Sequence, residues 1–343
     1  MTTKVNQFVT GAILGSAALF SMPSLAADGT LGKVMEQGYV TCGVTTGVPG
    51  FSNPNAEGEW EGIDIEFCQA VAAATLGDAT KVKFIPLTAK ERFTALQSGE
   101  IDLLSRQTTW TLQRDTALGL NFAGVNYYDG QGFMVKSELG VDSVNDLDGA
   151  SICVQSGTTT ELNLADYFRL KGMTYEPVVF DTAPQTAKGF DAGRCDVLTT
   201  DQSALYGLRI TLEKPESAVV LPEVISKEPL GPLVRQGDDQ WFNIIKWTHN
   251  AMLNAEELGV TQANVDEMLK SENPSVQRLL GINGPKGKGL GIRDDWGYQI
   301  IKQVGNYGES FERTMGADSP LNISRGLNAL WNDGGLQYAP PIR

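Results

Sequence analysis

From Tyr39 onward, short runs rich in β-branched residues alternate with stretches whose apolar residues recur every three or four positions. YVTCGV reads as a strand, GIDIEFCQAVAAATLG as a helix and KVKFIP as a strand. AKERFTALQSG then reads as a helix stopped by its glycine, and IDLLS as a third strand. Such alternation predicts parallel strands joined by right-handed helical crossovers. The same order restarts at Ala150 with ASICVQ, a helix from about Thr159 to Lys171 stopped by Gly172, and YEPVVF. A helix around Thr186, the strand CDVLTT and a helix from about Gln202 complete it.

Two extended segments join these units. QGFMVK (131–136) leads out of the first and EPLGPLVRQ (228–236) leads back, so the C-terminal part rejoins the first unit. The predicted class is α/β, two doubly wound lobes joined by a two-strand hinge. Lobe 1 takes 27–133 plus 233–343 with a helical C-terminal extension, and lobe 2 takes 134–232. The 343-residue length agrees, because single cores stop growing at roughly 250 to 300 residues. From Asp238 the pattern is mostly helical, broken by GINGPKGKGLG and ending in GGLQYAPPIR.

The N-terminus adds a destination. Lys4 precedes an apolar run from Phe8 to Phe20 and a small-residue Ser24-Leu25-Ala26 site, which predicts a cleaved secretory signal over residues 1–26. The run is shorter than the ~20 residues of a spanning helix, so the expected product is soluble and periplasmic. Cys42, Cys68, Cys153 and Cys195 form no CxxC or zinc spacing, and two disulfides are the expectation for an oxidising compartment. Chain order suggests Cys42 with Cys68 and Cys153 with Cys195, with the other connectivities open. A net charge of −14 without a basic cluster argues against a nucleic-acid partner.

Catalytic and metal chemistry find little support. His249, the one histidine, sits in a helical pattern far from any nucleophile arrangement. Gly287-Lys288 is followed by Gly289 where a phosphate-cradling loop needs Ser or Thr. No catalytic residue, metal or cofactor is expected. Polar residues instead cluster just after predicted strands, where open α/β sheets bind ligands. Thr109 and Arg114 follow IDLLS, and an arginine there can grip a carboxylate with two parallel hydrogen bonds. Ser156-Gly157-Thr158-Thr159 follows SICVQ at a helix start, where free N–H groups attract anions. Asp201 follows CDVLTT and can pair with an ammonium. Together they describe a receptor for a small zwitterion, although each alone is commonly a surface or capping residue.

GIDIEFCQAVA (62–72), RFTALQSGEIDLL (92–104), TTWTLQR, QSGTTTE and GRCDVLTTD (193–201) also resemble, in order and spacing, the successive blocks of polar-amino-acid solute-binding proteins of ABC importers. The likeness covers roughly residues 32–236. The C-terminal WGYQIIKQVGNYGESFER and LNALWNDGGLQYAPPIR resemble the branch of general L-amino-acid receptors, including those for glutamate, glutamine, aspartate and asparagine. The resemblance implies a periplasmic binding protein fold that closes on its ligand without chemistry. It assigns Arg114 to the α-carboxylate with Thr109 beside it and Thr159 closing from lobe 2, and Asp201 to the α-ammonium. Gln107, just before TTWTLQR, and Thr158, within QSGTTTE, are further ligand-binding candidates. Basic-amino-acid members carry an acid where Thr45 stands and an aromatic residue where Val48 stands, which counts against Lys, Arg or His as ligand. Thr45, Phe51, Trp60, Arg92, Arg106, Gln107 and Trp110 are candidates for the side-chain pocket, the extra arginines favouring acidic or amide ligands. The implied partners are a free L-amino acid and a membrane permease, with the protein itself monomeric. A periplasmic amino-acid dehydratase on the same scaffold and a ligand-sensing module for a signalling receptor are the rival readings.

Overall fold

A computed structural model of the chain describes residues 1–3, 29–284 and 286–343, so all but the first three residues of the expected leader lie outside it. Two five-stranded mixed sheets repeat one topology. The first runs in the order Val82–Pro86, Val40–Val44, Leu103–Leu104, Leu233–Arg235, Leu120–Phe122. The second runs Glu176–Phe180, Ser151–Gln155, Val197–Asp201, Gln131–Lys136, Ala218–Val220. In each, three parallel strands adjoin a fourth that is antiparallel to both its neighbours. Helices connect the parallel strands, among them Ile63–Leu76, Arg92–Ser98, Thr159–Lys171 and Ala183–Asp191.

The chain crosses between lobes at Tyr127–Asp129 and Glu228–Leu230, which pair antiparallel with Asp129 opposite Glu228. Gln131–Lys136 pairs along its whole length inside the second sheet, so the boundary expected at 133/134 would cut a strand. EPLGPLVRQ is two strands rather than one. They part at Gly231, which packs against the carbonyl of Gly124 where no side chain fits.

Helix Ile63–Leu76 shows why the C-terminal extension matters. Its alanines Ala70, Ala72, Ala73 and Ala74 are fully buried, and a helix apolar on every side needs cover on every side. The first sheet covers one face, and helices Asp239–Glu257, Trp296–Gln303 and Tyr307–Thr314 cover the rest. Gly62 precedes the helix with φ 122°, a conformation favouring glycine, and a Cβ there would strike the Phe51 carbonyl. Cys42 bonds to Cys68 and Cys153 to Cys195, with Cα separations of 6.3 and 5.7 Å, giving one bridge in each lobe. Among the described residues no helix is long and apolar enough to cross a membrane.

Candidate functional site

The carboxyl ends of the parallel strands in both sheets meet at a small, partly open cavity of about 30 Å³. Lobe 1 supplies Thr45, Arg92, Arg106, Gln107 and Thr109, and lobe 2 supplies Thr158, Thr159 and Asp201. The lobes are closed. Thr109 and Thr159 hydroxyls lie 3.2 Å apart across the gap, and Lys90 Nζ reaches Asp181 at 2.9 Å. Space of this size admits a water or two, so a larger guest enters only when the lobes part.

Arg92 and Arg106 form the cationic wall, whereas Arg114, the expected carboxylate clamp, is not among the residues lining the cavity. Arg92 and Arg106 are 2% and 4% exposed and Arg114 9%. Arg114 donates from Nη1 to the Thr109 carbonyl at 2.9 Å, and Arg106 donates from Nε to the Leu87 carbonyl at 2.9 Å. Arg92 and Arg114 both lie against the Phe93 ring, 4.7 and 5.3 Å from its centroid. Burial, then mutual repulsion with Arg106 and Arg114, pulls the Arg92 guanidinium well below its ordinary range, and burial lowers Arg106 to about 10. Among the described residues the Arg92 Nε and Gln107 Nε2 are buried donors without a partner. Gln107 adopts φ 43° because its N–H donates to Asp64 at 2.9 Å. Asp64 also accepts from Ser105 at 2.8 Å and Asn126 at 3.3 Å. The acid of the GIDIEF block therefore anchors the loop that carries the site rather than facing the cavity.

The opposite wall is anionic. Asp201 is 7% exposed, and among the described residues its carboxylate makes no hydrogen bond and no ion pair within 4 Å. It does not cap the helix Gln202–Arg209. Asp129 serves that helix start, accepting from the Ser203 hydroxyl and, at 3.3 Å, the Ser203 N–H. Burial, then Asp129 and Glu228, raises the Asp201 carboxyl well above its ordinary range, against the pull of Arg114 and Arg92. Burial likewise holds Asp129 up at about 6. Buried charges without counter-ions are costly, and here the Arg92 and Arg106 guanidiniums, bonded to neutral protein oxygens, face the Asp201 carboxylate across one gap. An ammonium on one side and a carboxylate on the other would satisfy both.

Thr158 is the N-cap of helix Thr159–Lys171, accepting from the Glu161 N–H at 3.2 Å. That leaves the Thr159 and Thr160 N–H groups pointing from the helix end with no intrahelical acceptor. Three residues expected in the side-chain pocket lie elsewhere. Phe51 is core, packed edge-on to Tyr127 at 5.3 Å. Trp60 leans on Phe84 at 6.4 Å. Trp110, 38% exposed, stacks on Phe122 at 5.2 Å. Aromatic residues serve core and pocket alike, and nothing in their spacing separates the two. His249 is buried, its Nε2 3.1 Å from the Val125 carbonyl, and burial lowers its pKa to about 4. Asp129 and Glu228 were not anticipated. Their one sequence signal was an acid in each of the two segments that cross between lobes.

Comparison with known proteins bears on this geometry. The family model described as bacterial extracellular solute-binding proteins, family 3, matches residues 40–263. The chain is 61% identical over 334 residues to the general L-amino acid-binding periplasmic protein AapJ of Rhizobium johnstonii, covering 97% of this chain and 98% of that one. It is 51% identical over 334 residues to the glutamate/glutamine/aspartate/asparagine-binding protein BztA of Rhodobacter capsulatus, covering 97% and 99%. A periplasmic binding protein from Brucella ovis, solved with glutathione bound, aligns with a TM-score of 0.90 at 60% identity, over 92% of this chain and 99% of that one.

Proposed function

The chain belongs to the bacterial extracellular solute-binding proteins, family 3, and on that premise we propose that it captures free L-amino acids in the periplasm for an ABC importer. The Arg114 guanidinium and the free N–H groups at the start of helix Thr159–Lys171 receive the α-carboxylate, with Thr109 and Thr159, whose hydroxyls donate to Glu228, as its neighbours. Asp201 receives the α-ammonium. The observation carrying this reading is the Asp201 carboxylate, buried with no hydrogen-bonding partner among the described residues and facing the same cavity as Arg92 and Arg106. A guest touching both walls binds the closed form better than the open one and so shifts the lobes toward closure. The hinge pair 127–129 and 228–230 absorbs the motion.

The unpaired donors of Arg92 and Gln107 favour a side chain rich in acceptors, acidic or amide, in keeping with the name of the BztA relative. Glutathione, the guest of the Brucella ovis protein, presents the same α-ammonium and α-carboxylate at its γ-glutamyl end. Export by the leader at 1–26 and delivery to a membrane permease complete the proposal, and the guest leaves unchanged. A thermal-shift screen of ligand-stripped protein against the twenty amino acids and glutathione tests it. Guests at about 100 times their Kd stabilise the fold by about 2.7 kcal/mol, and the largest shifts are expected for Glu, Gln, Asp and Asn. No shift with any amino acid would overturn the reading.

A further inference from the structure

Glu228 opens the returning hinge strand and is 1% exposed. Its Oε2 accepts from the hydroxyl of Thr109 at 2.6 Å and from that of Thr159 at 3.0 Å. Its Oε1 accepts from Asn163 Nδ2 at 2.7 Å and from the Ser226 hydroxyl at 2.6 Å. Thr109 belongs to lobe 1, whereas Thr159 and Asn163 stand on the first helix of lobe 2. One hinge carboxylate thus holds both lobes. Each hydroxyl has a single proton, and with the two hydroxyls 3.2 Å apart both protons are used within this triangle. The contact forms without any help from a guest.

We propose that Glu228 is a closure latch, a positioning residue that holds the lobes together once they meet and so sets how long a captured amino acid stays. The amino-acid part of this statement rests on the function proposed above. Parting the lobes breaks the Thr109–Thr159 contact and separates Glu228 from donors on one side. A buried carboxylate deprived of donors is destabilised, which penalises opening. The exposed Lys90–Asp181 pair, with side chains 59% and 67% exposed, adds little by comparison. A contact present only in the closed form acts on departure more than on arrival, as most affinity differences do.

The test uses the full mature chain as wild type, Glu228→Ala, Glu228→Gln and Asn163→Ala. Without ligand, small-angle scattering should give a larger radius of gyration for Glu228→Ala and Asn163→Ala than for wild type. An unchanged radius for both overturns the latch, whatever the wild type binds. With L-glutamate as probe in stopped-flow fluorescence, koff should rise roughly tenfold or more in Glu228→Ala, the loss expected for charged hydrogen bonds, with kon little changed. Glu228→Gln, which keeps an acceptor for the two hydroxyls, should recover part of that loss. Unchanged koff, or the tighter binding that an internal competitor would produce, overturns the proposal. If Glu228→Ala proves unfolded by circular dichroism, the other two variants carry the same readouts. A wild type that binds no amino acid overturns the functional reading, and the scattering still decides the latch.

Discussion

Replacing Asp201 with Asn should weaken the receptor and strengthen the empty protein. The carboxylate has no hydrogen bond or ion pair among the described residues, so the substitution, nearly equal in shape, removes a charge without breaking a contact seen there. On the ligand side it removes a charge-assisted bond to the α-ammonium, worth about 1.5 to 3 kcal/mol, or about 10- to 150-fold in Kd. On the stability side the direction follows from the raised carboxyl, whose causes are burial and then repulsion from Asp129 and Glu228. A group whose folded pKa exceeds its unfolded value contributes its full stability below the unfolded value, near 4, and loses it as pH rises through the folded pKa. The ionised form therefore burdens the folded protein at neutral pH, and Asn relieves that burden. Calorimetric titration and scanning calorimetry of ligand-stripped protein at pH 4 and 7.5 measure both effects. The expected result is weaker binding together with a higher Tm at pH 7.5, the Tm difference shrinking at pH 4. A lower Tm at pH 7.5, as loss of a helix cap would give, or unchanged affinity would refute the reasoning.

Arg114→Ala should weaken every amino acid bound by at least about tenfold, because it acts on the α-carboxylate they share; titration with two chemically different ligands checks it. Gly62→Ala should destabilise by about 3 kcal/mol in chemical denaturation, through strain at φ 122° and collision with the Phe51 carbonyl. Reducing the disulfides, which close separations of 26 and 42 residues, should cost about 3.5 to 4 kcal/mol each by loop entropy, read as a lower denaturation midpoint.

Much of the architecture is legible because the signals are local. The glycine at 172, the strand alternation around Cys42 and Cys153, and the helical pattern at 159–171 each report on their own few residues, and the elements lie there. The position of Asp201 at the end of a strand and of Arg114 in the short helix Leu112–Ala117 that follows Leu103–Leu104 comes from the same local reading. The acids of the hinge do not. Asp129 and Glu228 face each other only after the chain has built an entire lobe between them, and no local period encodes that meeting. Phe51, Trp60 and Trp110 show a different limit, since one composition suits a packed core, a hairpin and an exposed stack. Asp64 shows a third, an acid at the start of a helix whose role is to hold a loop 41 to 43 residues further on.

The central claim is that Asp201 and Arg114 grip opposite ends of one guest. A double-mutant cycle tests it most directly, titrating wild type and Asp201→Asn with L-glutamate and with 2-oxoglutarate, which lacks the ammonium. Wild type should prefer L-glutamate by at least about tenfold, and the preference should nearly vanish in the variant while Arg114→Ala leaves it in place. An equal preference in wild type and Asp201→Asn would contradict the account.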